Sequence, residues 1–192
     1  YLLVNPETRS LAARQREGFM ERCKAQVGDR VTYEYLQSQV EIGTGVCQTI
    51  GEARIELTEL RECVADTAEQ FDLRFIAAST HPWTHWSEQE PVDLERYRIL
   101  GGEHASLARR MAICGMHVHA GIADKNARVD LMNQVTYFMP HLLALSCSSP
   151  FWEGVNTGLK AFRPTIIGDL PRSGLPENFT SWTDWEEMLE DL

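Results

Sequence analysis

The sequence predicts an α+β domain in which helices pack on an antiparallel or mixed sheet. Three observations predict it. Short β-branched or aromatic runs alternate with helical segments along all 192 residues. One helical stripe (Leu57, Leu60, Val64, Ala68 and Phe71) recurs at spacings of three and four. Hydrophobic residues make up 43% and charged residues 24%, the usage of an ordinary folded domain with a sizeable core.

The elements follow in order. Tyr1–Val4 is a strand closed by the turn residues Asn5-Pro6. Thr8–Val27 is helical and stops at Gly28-Asp29. Val31–Ile42 alternates in part and is extended, and Gly43-Thr44-Gly45 breaks it. The next helix carries the stripe above; Thr49 with Glu52 three residues later forms a capping-box signature at its start. Leu73–Ser79 is a buried strand, Thr80–Pro91 a loop, and Leu94–Ile113 a helix interrupted at Gly101-Gly102. Met116–Ile122 is a strand. Asn126–Ser146 is a helix whose second half is apolar nearly all round and therefore expected in the interior. Ser148–Pro176 is a long segment punctuated by Gly and Pro. Tyr1 is not Met and already lies in a strand, and the acidic amphipathic helix from Trp182 has no element after it. The expectation is a fragment of a longer chain, residues 1–192 forming one partial unit.

Charge narrows the partners. A net charge of −10 argues against binding a nucleic-acid backbone or an anionic membrane. It does not exclude ATP, whose phosphates a magnesium ion partly neutralises. Five widely spaced cysteines without a CxxC fit free thiols and a cytoplasmic setting. The apolar run Val135–Leu145 is broken by Pro140 and His141 and is too short for a bilayer.

Three places could carry chemistry. His117 and His119 are two apart, so a strand would point both imidazoles at one metal or nucleotide, with Gly115 and Gly121 allowing close approach. From the spacing alone, a pair of packed structural histidines fits equally well. Gln37, Gln39 and Glu41 share one strand face, where the Glu41 carboxylate could ligate magnesium or hold a substrate ammonium; a solvated strand face is the plain alternative. Arg163, with Lys160 as a weaker second, could clamp phosphate or carboxylate, although a surface ion pair would serve such residues as well. His81 stands at a strand end. Phosphate-loop, dinucleotide-fold, nucleophile-elbow and H-E-x-x-H motifs are absent from the sequence.

Taken together, "YLLVNPETRSL", "YLQSQVEIGTGVCQT", "IAASTHPW", "GMHVHAGI", "LMNQVTYFMPHLLALSCSSPFWEG" and "NTGLKAFR" resemble, in order and over almost the whole chain, the bacterial carboxylate–amine ligases of the glutamate–cysteine ligase type 2 group. The resemblance implies a glutamine synthetase-like catalytic domain, a curved and mainly antiparallel sheet with helices on its outer side. It implies ATP-dependent joining of a glutamate-like carboxylate to an amino-acid amine, with Mg2+ or Mn2+ between phosphates and carboxylates. Glu41 would hold metal or substrate, His117 metal, His119 and Lys160 nucleotide, and Arg163 the transferred phosphate or the substrate carboxylate. The family's G-x-E-E-E run would lie just before Tyr1, and Asn156 and Ala120 depart from the expected acidic and β-branched residues. An inactive relative serving as a binding protein, and an HxH metal hydrolase, are the rival expectations. A homo-oligomer is a further expectation, since cut sheet edges favour association.

Overall fold

The computed structural model describes residues 1–103, 110–170 and 173–190. Strand β1 (Leu2–Val4) is buried along its whole length and pairs antiparallel with β4 (Arg74–Ile76), Leu3 facing Phe75. Strands β2 (Val31–Tyr33) and β3 (Val40–Ile42) form a second antiparallel pair, Thr32 facing Glu41. Leu3 N donates to Ser38 O at 2.8 Å, and Val40 N to Tyr1 O at 3.1 Å, so β3 lies beside β1. The four strands therefore run side by side in the order β2–β3–β1–β4. Helices and small antiparallel sheets make this an α+β fold, as the sequence predicts.

Side-chain alternation along β1 divides the interior. Leu3 points to one face, where it meets Phe19, Met20 and Cys23 of α1 (Phe19–Val27) and Val64 and Ala68 of α2 (Ile50–Gln70), with Val31, Val40 and Leu73. Leu2 and Val4 point to the other face with Leu11, joined by Ile76, Ala78 and Cys114. Full burial of a leucine is favourable by about 1.5–3 kcal/mol, so Leu2, Leu3 and Leu60, all fully buried, anchor the sheet and its helical layer. Helix α2 starts as its sequence predicts: Thr49 Oγ1 accepts from Glu52 N at 3.1 Å, and the Glu52 carboxylate accepts from Gln48 N at 2.7 Å. All five cysteines are free thiols. Burial pushes the Cys23 thiol up to about 11, so it is an uncharged packing group at neutral pH.

Several elements differ from the sequence expectation. Residues 8–18 are irregular, and α1 begins only at Phe19. Val31–Ile42 is a hairpin rather than one strand. A turn over 36–39 folds it, closed by Gln39 N to Leu36 O at 2.9 Å and by Leu36 N to Gln39 Oε1 at 3.2 Å. Helix α3 (Glu95–Glu103) runs through Gly101-Gly102 without the expected interruption; residues 104–109 of that segment lie outside the described residues. Met116–Ile122 forms no strand and is mostly exposed. The helix expected over Asn126–Ser146 is split into α4 (Lys125–Val135), a tight turn at 136–138, and α5 (Met139–Leu145), whose second residue is Pro140, with no N–H to donate. Its apolar second half is not interior: Tyr137 is 75% and Leu145 88% exposed. The 148–176 segment contains a hairpin, β5 (Phe151–Trp152) and β6 (Val155–Asn156), then α6 (Arg163–Gly168). Helix α7 (Trp182–Glu190) packs on α4.

Candidate active site

Beyond β4 the chain pairs briefly with the segment that precedes the two histidines. Thr80 bridges Ile113, and Cys114 N donates to Ser79 O at 2.8 Å. The base of the β5–β6 hairpin reaches the same place, because the hydroxyls of Ser79 and Ser148 meet. Next to it, Ser149 Oγ accepts from Arg163 N at 3.0 Å, and Ser149 O accepts from Phe162 N at 3.1 Å. The Arg163 guanidinium then returns across the gap and donates through Nη1 to Cys114 O. Ser79, Cys114, Arg163 and Ser148-Ser149 thus close a ring of hydrogen bonds that ties four distant stretches of chain together.

Gly115 follows Cys114 directly, beside this ring. A Cβ placed there would lie 3.8 Å from Arg163 Nη1 and 3.8 Å from His117 Nε2. Absence of a side chain keeps that space open between a guanidinium and an imidazole. The His117 and His119 rings stand edge to face with centroids 6.2 Å apart, both exposed to solvent. Arg163 has five N–H donors in a rigid fork, and its contacts with Cys114 occupy only part of it. What the arrangement offers is a guanidinium and two imidazoles at a water-accessible rim, suited to an anionic oxygen ligand.

The other expected site residues lie elsewhere in the frame. Glu41 is exposed on β3, where Thr32 Oγ1 donates to its Oε2 at 3.0 Å. Two residues earlier, buried Gln39 donates to Ile113 O at 2.7 Å and to Met111 O at 3.3 Å, so β3 abuts the segment leading to Gly115. Gln37 donates instead to Pro91 O. The Lys160 side chain is exposed, and its carbonyl accepts from Ser149 N at 3.2 Å. His81 is structural: it is buried, its Nδ1 accepts from Thr84 N at 3.1 Å, and its Nε2 therefore donates to Arg9 O at 2.8 Å. Burial lowers its pKa from the ordinary 6.5. Among the described residues, no three of His, Cys, Asp and Glu assemble into a group that could hold a metal. Glu41 and His117 alone do not amount to the oxygen-rich shell that magnesium takes.

Sequence reasoning missed Ser79, Ser148, Ser149 and the Cys114 carbonyl. Single serines and backbone atoms carry no spacing signal; only the "CSSPFWEG" segment drew attention to that stretch. No helix among the described residues is long and apolar enough to cross a membrane.

Comparison with known proteins adds an independent finding. The family model described as glutamate–cysteine ligase family 2 matches residues 1–192. A protein of Rhodospirillum rubrum is 46% identical over 196 residues, covering 100% of this chain and 50% of its own length. One from Paracoccus denitrificans is 46% identical over 192 residues, covering 100% of this chain and 51% of its own length. One from Ruegeria pomeroyi is 47% identical over 186 residues, covering 97% and 48%. All three bear the provisional name glutamate–cysteine ligase 2. This chain spans about half the length of the curated relatives it matches. A match of this extent places the chain in the glutamate–cysteine ligase 2 family.

Proposed function

We propose that these residues form part of the active site of an ATP-dependent carboxylate–amine ligase with a glutamine synthetase-like catalytic domain. The substrates would be a glutamate-like carboxylate and an amino-acid amine such as cysteine. The observation that carries the reading is the convergence of Arg163 and His117 at Gly115 in a chain of this family.

The chemistry accounts for the residue types. A carboxylate acylates amines poorly at neutral pH. Its oxygen attacks the ATP γ-phosphorus, the bond to the β-phosphate oxygen breaks, and ADP leaves. The amine nitrogen then attacks the acyl carbon, and phosphate departs with the electron pair of the C–O bond as the nitrogen gives up a proton. Positioning and neutralisation of charge supply most of the help such transfers need. Arg163, held on Cys114 O and Ser149 Oγ, would clamp phosphate or carboxylate oxygen. His117 and His119 would contact the nucleotide phosphates or a metal beside them, and Lys160 would add positive charge at the rim. Mg2+ or Mn2+ would supply charge neutralisation when bound; the described residues do not assemble its full ligand set, so Glu41 and His117 are offered only as contributors. No side-chain nucleophile is called for.

Release of ADP and phosphate upon adding glutamate and cysteine to protein with ATP and magnesium tests the reading. Arg163→Ala is expected to slow turnover by about a hundredfold or more, as for loss of a group that stabilises transition-state charge. Absence of turnover with every amino-acid pair would overturn it.

A further inference from the structure

Four contacts dock the β5–β6 hairpin on the segment that follows β4. Ser79 and Ser148 meet through their hydroxyls. Thr80 Oγ1 donates to Phe151 O at 3.1 Å, and Gly154 N donates to Pro82 O at 2.9 Å. At the tip, His85 Nε2 lies 3.4 Å from Glu153 Oε1. The first three contacts use hydroxyls and backbone. The fourth joins two ionisable side chains, one of them at the hairpin turn.

Glu153 and Gly154 form a two-residue turn with φ +50° and +80°. Such turns favour Asn, Asp or Gly at the first position, because a Cβ crowds the left-handed conformation. Glutamate is a poor turn former there, yet its Oε1 is shut off from solvent and has no well-aligned hydrogen bond. A carboxylate oxygen in that state needs a donor or a positive charge opposite it. His85 faces it. His85 Nδ1 accepts from Ser87 N at 3.2 Å, which places the ring proton of the neutral imidazole on Nε2, the nitrogen 3.4 Å from Glu153 Oε1. Trp86 and Trp152, the neighbours of the two residues in sequence, pack into one apolar cluster with Tyr35, Leu36 and Ala112.

We infer that Glu153 and His85 are a positioning pair that fixes the hairpin on the 79–85 segment and, through the hairpin base, sets Arg163 beside Gly115. The path is short. The hairpin base carries Ser148 on Ser79 and Ser149 on Arg163 N, and the Arg163 side chain reaches Cys114 O. A glutamate held in a left-handed turn position that suits Asn, Asp or Gly, with its carboxylate facing His85, is the mark of a constraint beyond turn formation. The geometric claim stands on the contacts alone; its consequence for catalysis rests on the ligase reading.

The test separates turn from contact in the chain without nucleotide. Glu153→Asn suits the turn better but is too short to meet His85, whereas Glu153→Gln keeps length and an acceptor. Amide hydrogen exchange and the guanidinium resonance of Arg163 are read by NMR. Glu153→Asn is expected to speed exchange at Gly154 and Arg163 by about tenfold and to move the Arg163 side-chain signal, while Glu153→Gln preserves both. His85→Ala, made in an exposed loop, is expected to repeat the Glu153→Asn result. Amides of β2 report whether loosening is local; if the Glu153 variants loosen everywhere, His85→Ala carries the same reading. Wild-type exchange and an unmoved Arg163 signal in Glu153→Asn, or in His85→Ala, overturn the pairing. Because no ATP is present, that outcome is distinct from failure of the ligase reading.

Discussion

At the scale of single residues, the two best-defined histidine environments point in opposite directions. His117 stands in water beside Arg163 and Gly115, free to meet a ligand. His81 is buried, with one nitrogen accepting and the other donating. A second proton on the His81 ring would set two donors against each other at Thr84 N. Its folded pKa is lowered from 6.5 by burial, so on acidification the unfolded chain takes up the proton first. Stability from His81 is then complete above about pH 6.5 and declines as pH falls through the window between the unfolded and the folded values. Thermal melts from pH 7.5 to 5 should show the wild type losing stability more steeply than His81→Asn. Parallel curves for the two proteins would contradict this assignment.

Among the elements, α2 shows what a sequence can specify locally. Its apolar stripe and capping residues lie within one continuous stretch, and Leu60, Val64 and Ala68 are buried as the spacing predicts. Thr49→Ala removes the acceptor for Glu52 N and should cost about 1 kcal/mol, read from urea unfolding. A change of less than a few tenths would mean that the Glu52 arm of the cap suffices. The β2–β3 hairpin was not legible for a physical reason. Its turn contains no Gly, Pro or Asn; the Gln39 amide closes it, bonding Leu36 N and the carbonyls of Met111 and Ile113. The two carbonyls are more than seventy residues away and leave no local trace. His117-Val118-His119 misled in the reverse direction. Alternation gives a strand only where another edge pairs with it, and pairing here stops at Ile113 and Cys114. The two rings still come to one side, but as an exposed loop. The candidate site was legible in Arg163, His117 and Gly115, while the serine frame that orients them depends on contacts between remote segments.

For the molecule as a whole, surface is the quantity that stands out. A chain of 21.8 kDa is expected to expose about 9,300 Å² when folded alone, and this one exposes 12676 Å². Much of the apolar excess lies along α4 and α5, where Leu131, Tyr137, Phe138, Leu142, Leu143 and Leu145 face solvent. Periodicity marked this helix as interior because it is apolar nearly all round; composition cannot say which surface should cover it. Exposed apolar side chains gathered on neighbouring turns of chain favour association. Sedimentation velocity should show the chain's mean mass rising with concentration, and the double substitution Leu142→Asp with Leu145→Asp should suppress the rise without changing far-UV circular dichroism. A monomer at all concentrations would show that this face is not sticky in water.

The proposed chemistry, amide formation through an acyl phosphate at the site around Arg163 and His117, is open to isotope transfer. Glutamate labelled with heavy oxygen in its γ-carboxylate is turned over with ATP, magnesium and cysteine, and the released phosphate is weighed by mass spectrometry. One labelled oxygen in the phosphate per amide formed is expected, with loss of both amide and label in Arg163→Ala. Amide formed with unlabelled phosphate would contradict it.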